Sequence, residues 1–117
     1  MTPDELRART KSFALRVVKL YRSLPRSADA QVMGKQLLRC GTSVAANYRA
    51  SCRSRSRAEF AARIGIVVEE ADESGFWLEM LAEAGIVRME LLKELLQESK
   101  ELTAIFTTTQ QSARKRS

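Results

Sequence analysis

The sequence predicts an all-α fold, an antiparallel up-down-up-down four-helix bundle, on three observations. Breakers are scarce, with two Pro and five Gly in 117 residues, which leaves room for long helices and little for a turn-rich β fold. Apolar residues recur at spacings of three and four in four successive stretches, each about 20 residues or more, or about 30 Å of helical rise. The polar breaks between those stretches are short, and short connections make sequential helices antiparallel neighbours. A chain of this length is one domain and can bury a core without a disulfide or metal.

Each element carries its own start and stop signals. Thr2-Pro3-Asp4-Glu5 opens the first helix: Thr2 caps, Pro3 takes the first turn and Glu5 closes a capping box. Leu6, Phe13, Val17, Leu20, Tyr21 and Leu24 follow, and Pro25 ends the helix because the residue before Pro avoids the α region. The second helix is expected from about Ala28 to about Ser51. Its stripe Met33, Leu37, Cys40, Val44, Asn47, Ser51 adjoins a second stripe, Gly34, Leu38, Gly41, Ala45, Tyr48, Cys52. So wide a face serves either one core or, through close approach at Gly34 and Gly41, a second subunit. Ser56 and Glu59 suggest another capping box, ahead of Phe60, Ile64, Val67, Val68, Ala71, Leu78 and Leu81. Ala84-Gly85 supplies the stop. The fourth helix, expected from about Val87 to about Thr109, carries Leu91, Leu92, Leu95, Leu96, Leu102, Ile105 and Phe106. Residues 1–111 are thus read as the bundle and 112–117 as a basic, fraying tail.

The charge is uneven. Net charge is +6, yet residues 58–84 hold one cation against seven acids, whereas residues 26–57 hold seven cations against Asp29 alone. Along the second helix, Lys35, Arg39, Thr42, Ala46, Arg49 and Arg53 follow one helical stripe, and Arg55 and Arg57 extend it into the next turn. Arg suits phosphate because its planar fork donates two hydrogen bonds at once. Lys35, Arg39, Arg49, Arg53, Arg55 and Arg57 are therefore the candidate nucleic-acid contacts. The competing reading pairs these cations with the acids of the third helix, within or between subunits, and makes the protein an interaction scaffold.

Several chemistries lack their residues. There is no His, so Ser-His-Asp and Cys-His arrangements cannot be built. No phosphate-binding glycine loop occurs. Glu69, Glu70 and Glu73 share helical spacing, but a ferritin-like site needs Glu-x-x-His pairs as well. No catalytic residue, metal or cofactor is expected. Cys40 and Cys52 form no close pair, and with no run of about 18 apolar residues and no signal peptide a cytoplasmic protein with reduced thiols is expected. Asn47 lies in an apolar stripe, and Glu70 or Glu73 on the third helix is the expected partner. With Ser43 these form a polar cluster expected to fix register rather than to react.

The stretch Gln36-Leu-Leu-Arg-Cys-Gly-Thr-Ser-Val-Ala-Ala-Asn-Tyr-Arg-Ala50 resembles the signature of the four-helix-bundle proteins encoded by intervening sequences of bacterial large-subunit ribosomal RNA genes. Gln36, Arg39, Ser43, Val44 and Asn47 fall on its pattern, Cys40-Gly41 being the departure. Ser56 to Phe60, Glu70 to Leu81 around Trp77, and Leu95 to Leu102 match its later motifs. The resemblance spans nearly the whole chain. It implies a bacterial homo-oligomer, a pentameric ring, similar also to the accessory proteins of diversity-generating retroelements. Those are basic and bind nucleic acid and a reverse transcriptase, so RNA or DNA and a reverse transcriptase are the partners the resemblance implies.

Overall fold

The computed structural model describes residues 1–115. Four helices follow in order: α1 Pro3–Ser23, α2 Ala28–Ser51, α3 Arg57–Glu83 and α4 Met89–Lys115. They form a rod of 47 × 21 × 19 Å. α1 packs on α2, α2 on α3 and α3 on α4, while α1 and α4 meet more sparsely and α1 and α3 stand at opposite corners. The starts of α1 and α3 therefore share one end of the rod with the ends of α2 and α4.

Local chemistry sets the boundaries. Thr2 Oγ1 accepts from Glu5 N–H and Glu5 reaches back to Thr2 N–H, completing the box. At α3, Ser56 Oγ accepts from Glu59 N–H, but the Glu59 carboxylate turns to Arg63 at 3.0 Å. Gly85 takes φ +73°, the left-handed cap, with Gly85 N–H bonded to Ala82 O and Ile86 N–H to Leu81 O. α4 starts at Met89, two residues after the expected start, and runs on to Lys115, so residues 112–115 of the expected tail are helical. Arg116 and Ser117 of that tail lie outside the described residues.

The core is aliphatic with a few rings. Phe13 and Val17 of α1, Leu37 and Val44 of α2, Ile64, Val67, Leu78 and Leu81 of α3, and Leu92, Leu102 and Phe106 of α4 are fully buried. The Tyr48 and Phe106 rings meet at 5.1 Å, tilted by 41°, between diagonal helices near the α2 C-terminal end of the core. Leu91, expected on the inner face, is instead 68 % exposed, because Leu92 and Leu95 take that face at the start of α4. Both apolar stripes of α2 serve mainly the chain's own core, except at Ala45, which floors an open groove, and at Cys52, which is exposed. A Cβ at Gly41 would lie 2.9 Å from the Val17 methyls, so the glycine lets α1 and α2 approach closely.

Candidate nucleic-acid interface

Helical geometry puts the basic row of α2 on one face, but the neighbouring helices sort it into different fates. Lys35, Arg49, Arg53 and Arg55 are exposed and enter no ion pair among the described residues. Arg39 behaves otherwise. Its Nη1 lies 3.1 Å from Glu70 Oε2, its Nη2 pairs with Glu73, and its Nε donates to Gln36. Glu73 also accepts from Trp77 Nε1 at 3.0 Å. That hydrogen bond first, and Arg39 second, hold the Glu73 carboxyl below its ordinary range, and Glu73 in turn raises the Arg39 guanidinium. Arg39 is thus a cross-helix fastener, and the internal-pairing reading holds for this residue.

The expected contact between Asn47 and an acid of α3 is not formed. Asn47 Nδ2 donates to Ser43 O and Ser43 Oγ within α2. Antiparallel register explains this. Asn47 lies about 6 Å from its end of the rod, whereas Glu70 and Glu73 lie about 20 and 24 Å from the same end. Glu70 and Glu73 are level with Arg39 instead. The expected cluster therefore splits into a Ser43–Asn47 pair and an Arg39–Glu70–Glu73 bridge.

Arg49 and Arg53 come together. With Ala46, Ala50 and Arg63 they line an open depression of about 340 Å³. Arg63 Nη1 donates to Ala50 O at 3.0 Å, satisfying a carbonyl at the C-terminal end of α2 and adding a cation beside the pair. Arg49 also rims a larger groove of about 540 Å³ between α1 and α2, floored by Ala8, Ala45 and Ala46 and flanked by Arg7 and Lys11. Arg7 is paired with Asp4, and Lys11 is exposed. Arg55 projects from the α2–α3 turn. Lys35 is about 21 Å along α2 from Arg49. Arg57 lies round the corner, in a depression shared with Phe60 and the end of α4.

Sequence reasoning missed Lys11 and Arg63. Neither belongs to the α2 stripe, and only the packing of α1 and α3 onto α2 brings them beside Arg49. The result is a basic surface at one end of the rod, centred on Arg49 and Arg53, with a shallow small-residue groove leading into it. Such a surface can take a phosphate backbone but has no enclosed pocket at a nucleophile.

Other polar chemistry is structural. Ser74 Oγ donates to Glu70 O and lies 3.3 Å from Cys40 Sγ, and burial pushes the Cys40 thiol up. Tyr48 is pushed up to about 12, first by burial and then by Cys52. Both cysteines are free. Among the described residues no group of three or more His, Cys, Asp or Glu could hold a metal ion, and no helix is long and apolar enough to cross a membrane.

Known proteins resemble this chain as follows. The model of the 23S rRNA-intervening sequence protein family matches residues 5–108. A crystal structure of a protein of unknown function from the S23 ribosomal protein family of Bacteroides thetaiotaomicron superposes with a TM-score of 0.87 at 32 % identity, covering 95 % of this chain and 99 % of that one. No curated protein matches. With the family pattern spread over all four helices and the fold shared along nearly their full length, this chain belongs to the 23S rRNA-intervening sequence protein family.

Proposed function

We propose that the protein is a non-catalytic, homo-oligomeric helical bundle that binds nucleic acid, RNA or DNA, by its phosphate backbone. The observation that carries this reading is the set of exposed cations without ion-pair partners, Arg49, Arg53 and Arg55, gathered at the α2–α3 end beside Lys11 and Arg63. Cations left unpaired by the fold keep their full capacity for phosphate, and an Arg fork meets it with two hydrogen bonds. Cations on an open surface meet phosphate whatever the base, so the contact is read as one to the backbone and sequence-tolerant. Repeating the surface around a ring multiplies weak contacts by avidity, and a pentamer is the stoichiometry that the family likeness favours. Exposed apolar side chains on α1 and α3 support self-association.

The test is fluorescence anisotropy with a labelled, mixed-sequence single-stranded RNA over a range of salt. Affinity is expected to fall steeply as salt rises. The combined variant Arg49→Ala, Arg53→Ala, Arg55→Ala should flatten the log–log salt slope by about 2, three contacts at about 0.7 each. Binding that ignores salt, or a variant with an unchanged slope, would remove this surface from consideration. The scaffold reading draws on the Arg39 bridge to Glu70 and Glu73, but that bridge lies within one chain. It accounts for the one cation; at the other end of the row the nearby acids Glu59 and Asp4 pair with Arg63 and Arg7, leaving Arg49, Arg53 and Arg55 unpaired among the described residues.

A further inference from the structure

α3 carries apolar residues on its outward side as well as its inner one. Phe76 is 51 % exposed and Ile66 43 % exposed, on the side of α3 turned away from the core. Phe76 does not dangle: Trp77 meets it edge-on at 4.9 Å, and Trp77 is tied to Glu73. A pre-ordered, exposed aromatic is the kind of side chain that anchors interfaces. Glu69 lies between Ile66 and Phe76, exposed and in no ion pair among the described residues. The outward ridge of α3 is therefore acidic and apolar.

The opposite corner of the rod presents the complement. On α1, Leu15 is 61 % exposed and sits with Lys19 on an open shelf of about 440 Å³ floored by Ala8 and Ser12. Lys19 enters no ion pair among the described residues. Heights also agree. α1 and α3 start at the same end and run in the same direction. Measured from that end, Leu15 and Glu69 both lie at about 18 Å, Ile66 at about 14 Å, Lys19 at about 24 Å and Phe76 at about 28 Å. Leu15 thus falls between Ile66 and Phe76, and Lys19 between Glu69 and Phe76, when two rods stand side by side at one level.

We infer that the outward ridge of α3 docks on the outward shelf of α1 of a second copy of this chain. Leu15 fits between Ile66 and Phe76, and Lys19 pairs with Glu69. The two surfaces differ and lie on opposite corners, so the contact is heterologous, head to tail, and each copy has one of each to offer. Such contacts close into a ring where each step adds a rotation and extend as an open array where it does not. This assignment rests on the homo-oligomer reading above, and it leaves Arg49, Arg53 and Arg55 outside the contact. The residues changed in the two tests are therefore distinct, although Ala8 and Lys11 border both the groove and the shelf.

Sedimentation velocity of the full chain tests it. Leu15→Asp and Phe76→Asp each change an exposed side chain, so unaltered far-UV circular dichroism is expected together with a shift to monomer. Lys19→Glu or Glu69→Lys should raise the dissociation constant at least tenfold, and the two together should recover most of it. An equimolar mixture of the Leu15→Asp and Phe76→Asp proteins should form a dimer and nothing larger, because one intact α1 shelf and one intact α3 ridge remain. A wild-type oligomer unmoved by either Asp variant, or a mixture that stays monomeric, overturns the pairing of these faces while the oligomer stands. A monomeric wild type overturns the oligomer itself.

Discussion

Arg39 and Arg49 stand ten residues apart on one basic row of α2, yet they do opposite things. Arg39 is held by Glu70, Glu73 and Gln36. Arg49 points into an open groove with no acid in reach among its lining residues. Both are exposed arginines of the same helix, with the same side-chain chemistry. What differs is the facing helix. Level with Arg39, α3 presents two acids that close on it; beside Arg49 it presents Arg63, and the nearby acid Glu59 is already taken by Arg63. A cation on a helix surface becomes a fastener or a ligand site according to what its neighbour offers at the same height.

That contrast can be broken at three strengths. The largest effect is expected from Arg63→Glu, which places an acid between Arg49 and Arg53. RNA affinity should fall about as far as in the triple alanine variant. Loss of the bond to Ala50 O should also lower stability by about 1 kcal/mol. Anisotropy and urea unfolding on one preparation would check both. Next comes the converse, Glu70→Gln with Glu73→Gln. Freeing Arg39 should steepen the RNA salt slope by about 0.7 and cost up to about 1 kcal/mol of stability, since the bridge is half-exposed. An unchanged slope would mean that Arg39 faces away from the bound strand.

The smallest effect is a pH dependence. The Glu73 carboxyl is held low by Trp77 and then Arg39. Its stabilisation is therefore complete above the ordinary carboxylate value of about 4.3 and is lost as pH falls through the depressed folded value. The wild type should lose more stability than Glu73→Gln as pH is lowered from about 5 to about 3. Urea midpoints at the two pH values give the comparison, and equal losses would show that the bridge contributes nothing in solution.

Much of the fold is legible along the chain alone. The Thr2 box, the stop at Leu24-Pro25 and the Gly85 cap are local, each fixed by hydrogen bonds within a few residues. The candidate site is legible only as a row. Lys35 and Arg49 are exposed where the stripe puts them, since a period of 3.6 places them without regard to other helices, while Arg53 and Arg55 are exposed in the turn beyond Ser51. The stripe cannot tell Arg39 from Arg49, nor find Lys11 and Arg63, because those depend on which residues of α1 and α3 come level with α2. Asn47 shows the same limit from the other side. Its polarity in an apolar stripe is visible, but its partner is Ser43, one turn away, because antiparallel register puts Glu70 and Glu73 out of reach.

The sequence by itself determined four helices, the ends of α1, α2 and α3, most of the inner faces and the imbalance of charge between α2 and α3. All of these follow from spacing and capping along one chain. By contrast, α4 ran past its expected end and Leu91 turned outward. Tertiary structure alone decided which cations are neutralised, which groove joins α1 to α2, and that Leu15, Ile66 and Phe76 are left facing outward. Those outcomes depend on the relative height and rotation of packed helices, which are set when side chains from different helices interlock, as Val17 does over Gly41.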